Sequence, residues 1–394
     1  MPTPRPAILA YYFPNYHPND RRNAAAHGPG WSEWELVRAA RPRFAGHRQP
    51  RQPAGGYADE SDPEVMAGKI DLAARHGVDA FVFDWYWYDD GPFLESCLER
   101  GYLAAANRER VRFCCMWANH DWQQIHPIRR AEAPGPGGTG PATLYPGRVR
   151  PETFEALTAH LIRRYFTDPA HFAVAGCPYF SVYELGALVA SFGDAAATRQ
   201  ALERFRARCR EAGLPGLHLN AVVWGQPLLP GESAPSEPWE LAADLGFDSL
   251  TSYVWVHYGG LHRDQPTTPY EHCLETYLAW WRGVRARLRL PYFPNLTVGW
   301  DSSPRCLPSD VWQPAWGYPY TSVLEGGDPA AFGRACARVR AEMDAAGPSG
   351  PAIVTVNSWN EWTEGSYLEP DATWGTGYLE ALRRTFGVGD RDGS

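Results

Sequence analysis

Residues 62–87 read DPEVMAGKIDLAARHGVDAFVFDWYW and hold one unit of a pattern that runs through the whole chain. Asp62 offers a capping oxygen just before Pro63 and Glu64, the punctuation of a helix start, and a helix is predicted near 63–76. After it, Asp79 to Trp87 is an apolar and aromatic run of strand length. Further strands are predicted over 7–13, 112–119, 179–183, 217–224, 248–255, 292–299 and 352–359, with helices near 92–106, 151–166, 198–212, 235–245, 269–289, 328–346 and 375–386. Thr268-Pro269 and Asp328-Pro329 repeat the capping signal. Eight strand–helix alternations predict an α/β protein, a single (β/α)8 TIM barrel over 1–394 with long loops after several strands. A doubly wound sheet usually shows fewer strands and a glycine-rich first turn, and no such turn follows the first strand here; GxxxxGK[ST] does not occur.

Composition narrows the function classes. At 394 residues the length suits two or three domains or one barrel with insertions. Hydrophobic residues are 44% and charged residues 21%, which excludes wholesale disorder, collagen and coiled coil. No apolar run approaches the ~20 residues of a membrane span, and a net charge of −8 argues against nucleic acid as a partner. The eight cysteines form no CxxC pair, and Cys114, Cys115, Cys209 and Cys336 fall inside predicted elements as plain buried thiols. The opening MPTPRPAILAYYFPNYHP lacks the apolar core of a secretory leader, so a cytoplasmic location is expected. Seventeen Trp, 20 Tyr and 16 Phe stand out, many beside amides, carboxylates or histidines. That mixture suits a sugar, whose apolar face an indole covers and whose hydroxyl rim amides and carboxylates bind.

In a barrel of this class the site lies at the carboxyl ends of the strands. The expected substrate contacts there are Tyr12 after the first strand, Asp84 and Trp85 after the second, and Trp117, Asn119, His120 and Trp122 after the third. Later strands bring Tyr183, Trp224, Tyr253, Trp255 and Trp300, and the eighth brings Asn357, Trp359, Asn360, Trp362 and Glu369. Glu361 and Glu364 are three apart. On a continuing strand their Cβ atoms would be ~10 Å apart on opposite faces, and on a turn ~5–6 Å apart. Gly365 favours the turn. Carboxyls that close cannot both ionise easily, so one keeps a proton near neutrality, as glycosidic cleavage requires. A lone ExxE more often caps a helix, but this one sits among tryptophans and asparagines at a strand end. His120, Asp121 and His126 fit no metal signature, so neither metal nor cofactor is expected. His17, His47, Arg48 and Arg51 in the first long loop suit either an anionic sugar or salt bridges that pin the loop. Asp301 suits an Arg partner as well as a substrate, and Asp371 suits a helix cap.

The segment NSWNEWTEGSYLEPD (357–371) resembles the motif of glycoside hydrolase family 99 and of the related WbsX-type proteins of bacterial polysaccharide loci. AYYFPNYHPND (10–20), WSEWELVRAARPRFAGHRQPRQP (31–53) and CMWANHDW (115–122) are similar to the second group, so the resemblance covers residues 8 to about 382. It implies a retaining α-glycosidase on a (β/α)8 barrel, acting on an oligosaccharide or polysaccharide, with a mannose-configured glycan as one candidate. Carried over by position, it makes Glu361 the base on the substrate's 2-hydroxyl and Glu364 the general acid. His120 stands where the WbsX-type group usually has Glu, and Asp84 where it more often has Tyr or His, so substrate identity does not carry over. Two alternatives stand beside this reading. A glycosyltransferase would want a nucleotide-phosphate site or a DxD motif, and a non-catalytic glycan-binding barrel would not need both glutamates.

Overall fold

The computed structural model describes residues 5–135, 137–348 and 350–388. The first four residues of the stretch read for a leader, and the two ends of the domain expected over 1–394, lie outside the described residues. Eight parallel strands form the barrel: β1 Ala7–Tyr12, β2 Ala80–Tyr88, β3 Arg112–Trp117, β4 Cys177–Val182, β5 His218–Val222, β6 Ser249–Thr251, β7 as Tyr292–Phe293 with Asn295–Thr297, and β8 Ile353–Asn357. Each pairs with its sequence neighbours from β1 to β6, and β8 pairs with β1. The circle closes through β7, whose first half pairs with β6 and whose second half pairs with β8. Pro294 interrupts it because proline has no N–H for a ladder, yet its carbonyl still accepts from the N–H of Thr355 at 2.9 Å.

The helices follow from their apolar spacing. Pro63–Arg75 buries Met66, Ile70, Ala73 and Ala74, an i, i+4, i+7, i+8 stripe that lies against the barrel. Asp62 caps it by accepting from the N–H of Glu64, and Asp328 caps Pro329–Ala346 by accepting from that of Ala331. Thr268 departs from the expected capping role. Its hydroxyl bonds Ser322 and receives the N–H of His262, because Thr267–Pro269 is a short strand paired with Val323–Glu325. The helix expected near 92–106 is reduced to the π-helix Cys97–Tyr102. The first long loop contains the helices Arg21–His27 and Trp34–Ala39, too short to read as periodic segments.

Inside the barrel the strands are joined by polar side chains as well as by backbone. Ser181 bonds Asn220, Asn220 bonds Ser249, Asn295 bonds Thr355, and Thr355 meets Thr251 at 3.1 Å. Tyr11 reaches across to donate to the carbonyl of Ser252. Each buried hydroxyl or amide in this ladder finds a partner on a neighbouring strand, which keeps its burial affordable. Cys114, Cys115, Cys209 and Cys336 are free and buried, as their positions implied. Among the described residues no helix is long and apolar enough to cross a membrane.

Two glycines let the chain leaving β8 fold back onto the end of β7. Gly365 has φ +64°, and a Cβ on Gly299 would lie 2.5 Å from the carbonyl oxygen of Gly365. Gly299→Ala should therefore push the two loops apart at a cost of about 1–3 kcal/mol. Urea denaturation measures it, and a variant as stable as wild type would show that this close approach is not maintained in solution.

Candidate active site

Past β8 the chain forms a small antiparallel hairpin, Asn360–Glu361 with Ser366–Tyr367, closed by the 3-10 turn Trp362–Glu364 and the left-handed Gly365. Glu361 and Glu364 therefore lie on one turn. Both are buried, and both reach the guanidinium of Arg305, which the 3-10 turn Ser303–Arg305 presents from the loop after β7. Arg305 Nη1 bonds Glu364 at 2.7 Å and Nη2 bonds Glu361 at 3.1 Å. Its Nε and Nη2 also bond Oε1 of Glu33, at 2.9 and 2.7 Å, so three buried carboxyls share one arginine. Tyr318 donates its hydroxyl to Glu364 at 2.8 Å. Asn15 donates to the other oxygen of Glu33.

This arrangement divides the carboxyls by proton affinity. Burial alone would raise Glu33, but the Arg305 guanidinium and the hydroxyl of Thr363 outweigh it and hold Glu33 below the usual carboxylate range. Burial drives Glu361 well above that range, with Arg305 opposing it and Glu364 and Glu33 adding to it. Glu364 is raised less simply: burial raises it, while Arg305 and the Tyr318 hydroxyl favour its ionised form. The single Thr363 proton points the same way. Thr363 Oγ1 lies 2.6 Å from Glu33 and 3.1 Å from Glu361. If that proton goes to Glu33, the second contact needs a proton from Glu361.

The pair faces a cavity that opens to solvent. Asp84 and Tyr86 from β2 line it, with Tyr253 donating to Asp84 Oδ2 at 3.0 Å and Oδ1 of Asp84 left without a partner. Burial pushes Asp84 well above the carboxylate range despite that bond, so it faces the cavity as a neutral acid. The imidazoles are neutral too: burial lowers His120 to about 4, and His126 and His257 to about 3. Trp122 lines the cavity with His126 stacked on it at 4.9 Å and Tyr86 edge-on at 5.3 Å.

Of the residues expected at the rim, the cavity thus gathers Asp84, His120, Trp122, Tyr183, Tyr253, Glu361 and Glu364. The other twelve do not line it. Tyr12 packs on Phe83 and under Lys69; Trp85 donates to Glu95; Trp117 donates to the carbonyl of Trp87. The Asn119 amide is engaged in both directions by the backbone of Glu184. Trp224 packs on Tyr183 with its N–H unpartnered, Trp255 donates to the carbonyl of Asn295, Trp300 donates to Thr321, and Asn357 is fully buried with neither amide atom bonded. An indole whose N–H is taken internally and whose ring is buried belongs to the packing.

Trp359, Asn360, Trp362 and Glu369 form the hairpin's support. Trp359 and Trp362 donate to the two oxygens of Glu369, and Asn360 binds both backbone groups of Phe13 and the carboxylate of Glu60. Lys69, the chain's only lysine, lies between Glu60 and Glu369. In the first long loop, His47, Gln49 and Arg51 all donate to Asp301, which is the pinning role; Arg48 covers the ring of Trp374. Asp371 accepts from the N–H of Thr373 and so stabilises a turn ahead of the last helix, Gly377–Phe386.

Glu33, Arg305 and Tyr318 carried no spacing signal that joined them to the Glu361 motif. Only the WSEWELV stretch (31–37) marked the first of them. Among the described residues no group of three or more His, Cys, Asp or Glu is placed to hold a metal ion.

The family described as Glycosyltransferase WbsX matches residues 8–382. Two curated relatives, both described as uncharacterized protein WxcX, from two strains of Xanthomonas campestris pv. campestris, are 29% identical over 98% of this chain. The chain spans about half the length of these relatives, 50% in each case. Among solved structures, a GH99 endo-alpha-mannosidase from Bacteroides thetaiotaomicron is 14% identical, covering 98% of this chain and 96% of its own, with a TM-score of 0.52. A glycoside hydrolase-like protein is 15% identical over 99% and 96%, with a TM-score of 0.62. These two share the fold of this chain.

Lys69→Met would leave Glu60 and Glu369 buried without their counter-ion. It should cost about 3–5 kcal/mol in chemical denaturation; a loss under about 1 kcal/mol would show that the cluster is solvated. A second outcome concerns pH. A carboxyl whose folded pKa is raised binds more protons folded than unfolded, so stability falls as pH rises from the ordinary carboxylate range toward the folded value. Glu361→Gln mimics the protonated form and should flatten that fall. Its stability relative to wild type should increase between pH 5 and 8, and a constant offset would mean that Glu361 is ionised throughout.

Proposed function

The chain belongs to the family described as Glycosyltransferase WbsX, and from the carboxyl pair in its cavity we propose that it is a retaining glycoside hydrolase acting on an α-linked glycan. The observation that carries this reading is the placement of Glu361 and Glu364 on one turn, joined by one guanidinium and facing the cavity. Two carboxyls so close lie on one side of a bound sugar. An inverting enzyme needs them ~6.5–9.5 Å apart with water between.

Substrate-assisted attack suits a pair on one side. Glu361 takes the proton of the 2-hydroxyl as O2 closes on C1, while Glu364 gives its proton to the departing glycosidic oxygen. Water then attacks C1, returning a proton to Glu364, and O2 recovers its proton from Glu361. Both carboxyls have raised proton affinity, so the pair titrates as a unit and keeps one proton near neutrality. Arg305 and Tyr318 favour that proton on Glu361 in the empty site. A 2-hydroxyl hydrogen-bonded to Glu361 favours the ionised form there, so substrate binding moves the proton to Glu364, where the leaving group needs it. Asp84, held neutral, donates to a sugar hydroxyl, and Trp122 covers an apolar sugar face. A single domain and a glycan substrate, without a metal, complete the proposal.

Glu361→Gln and Glu364→Gln should each lower turnover by at least ~10²-fold. A glycan-library screen read by mass spectrometry tests this, and an active double variant would sink the assignment. The family's description favours a second reading, a glycosyltransferase; an activity that strictly requires a nucleotide sugar would establish it in place of hydrolysis.

The stereochemistry is separately testable. NMR of the first-formed product should show the anomer of the substrate, and a 2-deoxy or 2-fluoro analogue should bind without turning over. Release of the opposite anomer first, or normal cleavage of the 2-deoxy analogue, would remove Glu361 from its role.

A further inference from the structure

The polar groups of the cavity account for a sugar's hydroxyls, but part of its wall is aliphatic. Leu228, Leu229 and Pro230, in the loop that follows β5, line the cavity together with Ile125. Ile125 is buried, whereas the three loop residues remain partly exposed. Aliphatic side chains left open in a cavity are unfavourable unless a ligand covers them.

This wall is held by its backbone as well as by the partial packing of Leu228 and Leu229 against the core. One oxygen of Glu232, a buried carboxyl of the same loop, accepts the N–H groups of Leu228 and Leu229 at 2.7 and 2.9 Å. Its other oxygen accepts the hydroxyl of Tyr183 at 2.6 Å. Gln123 donates to the carbonyl of Pro230 at 2.9 Å. Tyr183 and Gln123 themselves line the cavity, so the loop is fastened to the site it walls. An indole suits the flat C–H face of a pyranose, but Leu-Leu-Pro offers a rounded apolar seat without π density. A methyl group fits such a seat, and a hydroxymethyl would lose hydration there without a partner.

Resting on the glycan reading above, we propose that the sugar bound in this cavity carries a methyl group that seats on Leu228, Leu229 and Pro230. The methyl comes from either of two sources, C6 of a 6-deoxy sugar or an acetyl substituent. The chemistry they share is a CH3 where a common hexose has a hydroxyl-bearing group.

The test uses the full chain carrying Glu364→Gln and pairs of methyl α-glycosides that differ at that one group. Mannoside with rhamnoside and galactoside with fucoside, each in the D and L series, form the first arm. Hexosides with their 3- or 4-acetamido counterparts form the second. Binding is read by saturation-transfer NMR and tryptophan fluorescence. In at least one pair the methyl-bearing member should bind about tenfold tighter, and its methyl protons should receive the strongest saturation. The arm that shows the preference identifies the source. Leu228→Asn with Leu229→Asn should shrink that advantage to about twofold and leave the hydroxylated partner's affinity in place.

Equal or tighter binding of the hydroxylated member in every pair would overturn the proposal. So would a preference that survives the leucine substitutions in a folded variant, or no binding by any methyl-bearing probe up to about 50 mM. Cleavage of a glycan by wild type without a methyl preference defeats this inference alone. A methyl preference without cleavage of any glycan that contains the preferred sugar defeats the hydrolase reading alone.

Discussion

The Arg305 guanidinium is the interaction on which the candidate site depends. It bonds Glu33, Glu361 and Glu364, which come from the loop after β1 and the loop after β8, while Arg305 comes from the loop after β7. Three carboxyls buried together would repel one another and resist ionisation. One delocalised cation with several fixed donors lowers that cost and sets where each carboxyl points. The division of labour follows from the geometry: Glu33, with two short bonds to the arginine and further hydrogen bonds, takes the negative charge. Glu361 and Glu364 are left with an unusually strong hold on a proton.

A second buried ion cluster supports the other side of the same hairpin. Lys69 compensates Glu60 and Glu369, and those carboxylates hold Asn360, Trp359 and Trp362, the residues on either side of Glu361. Glu361 is thus placed by a backbone whose neighbours are all engaged. The arrangement locates the proposed chemistry on a rigid support, which general acid and base groups need to keep their geometry.

Beyond this centre and the Asp121 carboxyl, the cavity contains little fixed charge. His120, His126 and His257 are neutral through burial, and Asp84 is neutral for the same reason. A wall of hydrogen-bonding groups and apolar surfaces whose one arginine is already engaged by carboxyls suits an uncharged sugar better than a phosphorylated one. That favours a glycan over a sugar nucleotide in the same cavity.

The barrel was legible in the sequence because its signals are local. Continuous apolar runs such as Ala80–Tyr88 and capped helices such as Pro63–Arg75 arise from residues close together in the chain. Glu361 and Glu364 were legible for the same reason, since three residues and a following glycine define a turn. The tryptophans were misleading, because composition records how many indoles there are and not which way each one faces. Trp122 lines the cavity, while Trp359 and Trp362 turn inward to Glu369, which Lys69 from far along the chain neutralises. Arg305 and Glu33 are 272 residues apart and meet only once the barrel closes. The sequence by itself determined the eight-fold alternation and the carboxyl pair. Only the tertiary structure decided which charge holds that pair, because a salt bridge between distant loops leaves no periodicity to read.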